Sequence, residues 1–164
     1  MEDVGLHVRG VELSLLIAAR HFDAQYSWNA HHKKAIEVGV SVESIRELAS
    51  NEVPHFAHAD EQLLYGVATQ ILRDHFVGQE TFDAALAEWG EAGLVDIIGC
   101  LGNFSMLAML LNTFQVDLKS GDEPPLPDMR GVAKVDQDLA EGGAPPRRCP
   151  VPSLVARCAE VVGR

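Results

Sequence analysis

An all-α domain is the fold class that the sequence predicts, and two observations indicate it. Ala, Leu and Val are abundant while aromatic residues make up only 6% of the chain, a composition that favours helix. Apolar residues recur at helical spacing in several segments, and no segment has the strict alternation of a half-buried strand. With 164 residues, 47% of them hydrophobic, the chain can form one folded domain with a real core.

The first two helices are predicted from apolar periodicity and from the residues at their ends. Residues 11–22 (VELSLLIAARHF) form an amphipathic segment, and a polar break at 23–25 separates it from a second helix that begins near Ser27. We expect the second helix to end at Gly39, a residue suited to left-handed backbone, with Val40 as the accompanying apolar contact.

Two further helices follow from their capping signals. Ser41 is the expected N-cap of a short third helix, with Glu43 in its first turn, where the helix dipole favours an acid. Residues 51–60 form a loop, and Asp60 is the expected N-cap of a helix over 61–76. Helical spacing there is shared by five apolar residues, Leu64, Val67, Ala68, Ile71 and Leu72.

The most apolar segment comes last in the domain. A short helix over 79–90 should stop at Gly90, and a long helical segment follows over 91–116. Residues 97–114 carry no charge, so a membrane span is an alternative. Gly, Asn and Ser residues interrupt this stretch and no basic flank follows it, which favours a helix buried in the core and against a partner subunit.

The character of the chain changes after residue 118. Residues 119–164 are rich in Pro, Gly and charge and have no apolar period, apart from one short amphipathic stretch at 152–162. We therefore expect a helical domain over 1–118 and a largely flexible extension over 119–164.

The net charge of −11 limits the classes of partner. Residues 1–118 contain six basic and seventeen acidic residues, which account for the whole of that charge. Because a domain this acidic repels phosphate backbones and anionic lipid, we expect no nucleic-acid partner and no membrane partner. An anionic substrate would need a local cation, and the domain offers six, namely Arg9, Arg20, Lys33, Lys34, Arg46 and Arg73.

Cysteine usage indicates a reducing compartment. Cys100, Cys149 and Cys158 are odd in number and none forms a CxxC pair, which argues against a disulfide framework and against a cysteine zinc site. The first apolar run follows acidic residues rather than the basic region of a secretion signal. We expect a cytoplasmic protein.

Histidines are the residues through which this chain could bind a metal or transfer protons. His55 and His58 have i, i+3 spacing, but they lie in a loop beside Pro54 with no complete ligand set. Solvated loop histidines are the favoured interpretation, and we expect no metal. His31 and His32 lie instead in the second helix, where they point about 100° apart, so only one can face the core.

His31 has the better surroundings for chemistry. Ser27 lies one turn before it and Ala35 one turn after it, which suggests that its side approaches the interior. Glu12, in an apolar part of the first helix, needs a partner if it is buried, and a histidine of the next helix can be that partner. A satisfied core histidine and a glutamate at a solvated helix edge remain the alternatives.

At these residues the sequence resembles the carboxymuconolactone decarboxylase family, which includes the alkylhydroperoxidase D-like proteins. The resemblance runs over about residues 11–118, and its motifs are individually of low specificity. The residues that match the family pattern are, in order, Glu12, Tyr26, Trp28, His31, Ala35, Gly39, Ser41 and Asn112.

The resemblance implies an alkylhydroperoxidase D-like helical bundle that assembles as a trimer or hexamer and uses no cofactor. It implies a lyase that acts on a small carboxylated lactone or a similar acid. In that chemistry His31 is the acid/base, Glu12 orients it and Ser27 is a hydrogen-bonding neighbour. The candidate substrate-binding residues are Arg20, Trp28 and Lys34.

Two departures from the family pattern leave other functions open. The peroxidase branch has a CxxC whose positions are occupied here by Ala24 and Ser27, so an antioxidant activity of that type is disfavoured. The decarboxylase-like branch usually has Glu at the position of Ser27. The domain also starts later than is usual in the family. A non-catalytic oligomeric binding protein on the same scaffold is the remaining alternative.

Overall fold

The computed structural model of the protein describes residues 6–118 and 125–126, and in these residues it is all-α, as predicted. The predicted extension over 119–164 lies outside the described residues except for Pro125 and Leu126. The helices are α1 (Val8–His21), α2 (Gln25–Glu37), α3 (Val42–Ala49), α4 (Ala59–Thr69), a π-helical turn (Gln70–Asp74) and α5 (Gln79–Thr113).

Helix α1 lies at the centre of the structure. Every residue from Leu13 to Arg20 is buried, because α2, α4 and α5 all pack against this helix and α3 touches it more lightly. A helix that is buried on all sides is mostly apolar all round, and Leu, Ile and Ala make up six of the eight residues in this run, the exceptions being Ser14 and Arg20.

A tight turn joins α1 to α2 at the polar break that the sequence predicts. Asp23 has a positive φ of 51°, and the Ala24 N–H donates to the Ala19 carbonyl at 2.8 Å. Helix α2 begins at Gln25, two residues before the predicted start. The Gln25 side chain then hydrogen-bonds both the N–H and the carbonyl of Leu126, which is buried.

The end of α2 and the start of α3 follow their local signals. Gly39 has a φ of +105°, which a residue with a Cβ adopts only with strain. The Val40 N–H donates to the Ala35 carbonyl at 2.9 Å, and the Val40 side chain is buried. Ser41 caps α3 by accepting the Ser44 N–H at 3.0 Å. All three predictions are confirmed.

The predicted N-cap of α4 is wrong. The helix begins at Ala59 after His58, and Asp60 lies in the first turn. The Asp60 carboxylate pairs with Arg9 of α1 at 2.6 Å, and Arg9 also lies 3.1 Å from the buried Glu61. A cation from another helix, which no local pattern reveals, thus binds the carboxylate that was expected to cap the helix.

The single helix predicted over 61–76 changes its winding near its end. After Thr69 it becomes a π-helical turn, which ends at His75 in left-handed backbone, with φ +60°. The Gln70 side chain then accepts the Gly78 N–H and donates to Thr81 of α5. This side chain joins the end of one element to the beginning of the next.

Gly90 breaks the helical backbone where the sequence predicts a stop. Its φ of 66° and ψ of −178° are not helical, so α5 consists of two helical pieces that meet at a kink. Alone among the described helices, α5 is long and apolar enough to cross a membrane. In its most apolar 18-residue window only 28% of the residues are buried, so among the described residues this helix lacks the burial on most sides that the sequence predicts. Its burial against a partner subunit stays a prediction, and length and composition alone are weak evidence for a membrane span.

Candidate functional site

The structure brings Glu12 and His31 together inside the domain. The Nδ1 atom of His31 lies 2.9 Å from Oε2 of Glu12. His31 is 6% exposed and the Glu12 side chain is 14% exposed. Burial of either group alone would be costly, so each satisfies the other away from bulk water.

Helical packing positions both members of the pair. Glu12 lies on α1, just before the fully buried run, and His31 lies on the buried face of α2 with Trp28 and Ala35. The aromatic ring of Phe104 on α5 is 6.3 Å from the imidazole, centroid to centroid, in a tilted arrangement. The pair is therefore held between α1 and α2, with an aromatic neighbour from α5.

The contact defines what the imidazole can do. An ionised carboxylate only accepts hydrogen bonds, so Nδ1 is the atom of His31 that donates to Glu12. With Nδ1 engaged, Nε2 is the ring nitrogen that a substrate would have to reach. This arrangement suits general acid–base chemistry at Nε2.

His32 has a different environment and no part in the pair. It is only half-buried, and its Nδ1 donates to the Trp28 carbonyl one turn earlier, at 3.1 Å. Trp28 itself is 2% exposed and belongs to the hydrophobic core. The predicted substrate-binding role of Trp28 therefore has no exposed surface to support it.

Arg20 lies in another pocket. Its guanidinium pairs with Asp23, a residue of the tight turn after α1, at 2.5 Å. With Tyr65 and Arg73 it lines a small pocket of about 30 Å³ whose lining includes neither Glu12 nor His31. Arg20, a candidate substrate-binding residue, thus lines a pocket that is separate from the Glu12–His31 pair.

The other two predicted residues, Ser27 and Lys34, lie on α2 and make no polar contact with the pair within the described part of the chain. Among the described residues, Ser27 makes no hydrogen bond with His31, so its expected role lacks the contact it requires. Lys34 is exposed in the last turn of α2. Glu12 and His31 are thus the two predicted site residues that the fold joins.

His21 in the Arg20 pocket is a titratable residue that the sequence does not single out. Burial lowers the pKa of His21, and the positive charge of Arg73 lowers it further. Arg73 lies in the π-helical turn, so only the packing of distant helices creates this environment.

One of the two loop histidines, His55, contacts a carboxylate. Glu47 accepts the His55 backbone N–H at 2.7 Å and lies 3.1 Å from His55 Nδ1. The backbone hydrogen bond lowers the pKa of Glu47, although partial burial opposes this effect. Within residues 6–118 and 125–126, no three His, Cys, Asp or Glu side chains converge as metal ligands do.

Cys100 is half-buried on α5 and unsuited to attack. Burial raises the pKa of its thiol, and the nearby Asp96 raises it further. A thiol with a raised pKa is mostly protonated at neutral pH, and the protonated form is a poor nucleophile.

Comparison of the chain with protein-family models, with curated proteins and with solved structures gives no match.

Proposed function

We propose that this protein is a cofactor-free acid–base enzyme, and more specifically a decarboxylating lyase of the carboxymuconolactone type. The buried contact between Glu12 and His31 is the observation that carries the proposal. The ordered resemblance over residues 11–118 supports the substrate class, a small lactone or enol acid that bears a carboxylate. The fold proposed with it is the alkylhydroperoxidase D-like bundle.

The proposed reaction needs only a proton donor and a place for charge. The carbon–carbon bond to the carboxylate breaks, CO2 leaves, and the electron pair is delocalised into the lactone carbonyl as an enolate. The imidazolium of His31 then delivers a proton from Nε2 to carbon, and solvent returns a proton to the imidazole. Such positioned acid–base help typically contributes about 10²- to 10⁴-fold in rate.

Glu12 acts through His31 in this scheme. It holds the imidazole by Nδ1 and stabilises its protonated form, so the proton to be transferred is at Nε2. Lys34, one turn beyond His31 on α2, is the proposed cation for the substrate carboxylate. Arg20 is not assigned that role because it lines a separate pocket.

The test is turnover of a panel of small carboxylated lactones, followed as CO2 release. We expect His31→Gln to lower kcat by at least about 100-fold and Glu12→Gln by a smaller factor. The matched control is His32→Gln, because this neighbouring histidine bonds only a backbone carbonyl. Equal turnover in the wild type and His31→Gln would refute the assignment.

A non-catalytic binding scaffold is the second candidate, and the near-complete enclosure of the pair favours it. The His31 and Glu12 side chains expose only 7% and 14% of their surfaces, and Ser27 does not extend the network. If no acid on the panel turns over, the imidazole signals of His31 can be followed by NMR during titration with the same acids. A saturable shift that His31→Gln abolishes would support binding without chemistry.

A peroxide-reducing function is the weaker alternative. Ala24 and Ser27 occupy the positions of the thiols it would need, and the Cys100 thiol has a raised pKa. Only peroxide consumption by the wild type that disappears in Cys100→Ser would support a peroxide-reducing function.

A further inference from the structure

The second piece of α5 carries an apolar face that nothing in the described structure covers. At 100° per residue its members fall within an arc of about 100°, opposite the face that packs into the core. Val95 is 67% exposed, Ile98 54%, Met106 47% and Met109 49%. We call this face the α5 stripe; it consists of Val95, Ile98, Gly99, Gly102, Met106 and Met109.

The two glycines of the α5 stripe have no role in packing the described residues. A Cβ placed on Gly99 or Gly102 would meet no atom within 4 Å, and neither residue has a positive φ. Glycine inside a helix is less favourable than alanine, so it needs a compensating reason. Close approach of another helix is such a reason, because the distance between helix axes depends on side-chain size at the contact.

We propose that the α5 stripe pairs with the same stripe of a second copy of this chain, in antiparallel register about a two-fold axis at Gly102. A two-fold contact uses the same patch on both subunits. In this register Met106 of one copy faces Ile98 of the other, and Met109 faces Val95. Gly102 meets Gly102 at the axis, where the helices approach most closely.

The surface beside the stripe fits this register. Near Val95, α5, α1 and the residues just before α1 form an open groove of about 480 Å³. Its lining is mostly apolar and consists of Leu6, Val11, Val95, Asp96, Gly99 and Cys100. Met109 of the second copy is the flexible apolar side chain that the register brings to this groove. Methionine adapts well to irregular apolar gaps.

Charge favours a second copy and the antiparallel arrangement. The chain carries a net charge of −11, yet no charged residue lies between Asp96 and Asp117. Two copies can therefore meet here without apposing like charges. Glu91 lies at one end of the face, so a parallel pair would bring the two Glu91 carboxylates together, whereas an antiparallel pair separates them.

The area is suitable for a specific contact. The α5 stripe exposes on the order of 450 Å² of surface, near the middle of the roughly 300–600 Å² range for the largest apolar patch on a typical monomer. A standard interface covers about 800 Å² per partner, so flanking residues such as Asn103 and Thr113 must contribute. A lipid surface is the less suitable occupant, because the charges that flank the stripe on α5 are acidic and repel anionic lipid.

The test uses the full chain in sedimentation velocity and light scattering. We expect the wild type to form a dimer, or an even-numbered assembly built from this dimer, such as the hexamer that the resemblance implies. A trimer would contradict the two-fold contact. Ile98→Glu and Met106→Lys should each weaken the two-fold contact at least tenfold. The double variant Ile98→Glu/Met106→Lys should regain association, because the register places each new glutamate opposite a new lysine. Val42→Glu, which changes an exposed valine on α3, is the control and should leave assembly unchanged.

The variant Gly102→Leu provides an independent test of the same contact. The described residues leave open space for the new side chain, so the monomer should keep its circular dichroism and cooperative unfolding while association weakens at least tenfold. A wild-type chain that stays monomeric, or an assembly that none of the stripe variants alters, would overturn the proposal. Flotation with phosphatidylcholine vesicles that the stripe variants abolish would also overturn it, in favour of a lipid surface.

Discussion

His31 and His32 are adjacent in the chain, and their surroundings show how strongly position on a helix decides chemistry. The 100° turn between them places one imidazole against a carboxylate and an aromatic ring, and leaves the other on a backbone carbonyl. Sequence spacing correctly favours His31 as the inward residue, because it shares a face with Ala35. The choice of Glu12 as its partner depends on the packing of α1 against α2.

At the same scale, Glu47 should make stability depend on pH in the acidic range. Its pKa in the folded protein lies below its ordinary value of 4.5, because it accepts the His55 N–H. A lowered pKa stabilises the fold above pH 4.5, and this stability is lost as the pH falls through the folded value. Urea unfolding between pH 3 and 7 should therefore show a smaller acid loss for Glu47→Gln than for the wild type.

The control for this prediction is Glu37→Gln, which changes an exposed glutamate at the end of α2. Its acid loss should match that of the wild type. Parallel pH profiles for Glu47→Gln and the wild type would contradict the role assigned to the His55 contact.

At the scale of elements, predictions from the sequence succeed where one residue determines the backbone. Gly39, Ser41 and Gly90 mark a helix end, a helix start and a kink, and each does so through its own φ or its own side chain. The failures have long-range causes. Asp60 lies in the first turn of α4 and pairs with Arg9 of α1, and the π-helical turn after Thr69 has no local marker.

Two glycines offer a matched test of this local control. Gly39→Ala should destabilise the protein by about 1 kcal/mol or more, since its φ of +105° suits no side chain. Gly66→Ala should stabilise it by about 0.5–1 kcal/mol, because Gly66 lies inside α4 with open space around it and no positive φ. Denaturant unfolding of both variants measures the difference, and changes of the same sign would refute the argument.

At the scale of the whole molecule, the candidate site could be predicted only in part. The pairing of Glu12 with His31 could be predicted from the sequence, because the two residues lie on consecutive helices. The position of Arg20 could not be predicted from the sequence. Arg20 pairs with Asp23 in the turn and lines a pocket whose other walls include residues of α4 and of the π-helical turn. Such a pocket is made by residues about fifty positions apart, and no local pattern encodes it.

Arg9 links α1 to α4 and should matter for global stability. Glu61 is 2% exposed, and its oxygens make no hydrogen bond among the described residues, so its charge relies on Arg9 at 3.1 Å. Arg9→Met should cost about 3 kcal/mol, because it leaves a buried charge unpaired. The double variant Arg9→Met/Glu61→Leu should recover most of the loss.

Guanidinium unfolding of the three proteins provides the measurement. Asp60→Asn is the control, because Asp60 pairs with the same arginine but is 35% exposed, and it should cost clearly less than Arg9→Met. A double variant no more stable than Arg9→Met would show that the arginine contributes through packing rather than through charge.

The turn of three residues between α1 and α2 has a consequence for how the molecule is assembled. Glu12 and His31 are 19 positions apart, so the chain closes only a short loop to join them. We therefore expect this helical hairpin to form its inner polar contact early, before α4 and α5 arrive from distant parts of the sequence. The later helices must then fold over a carboxylate and an imidazole that already satisfy each other.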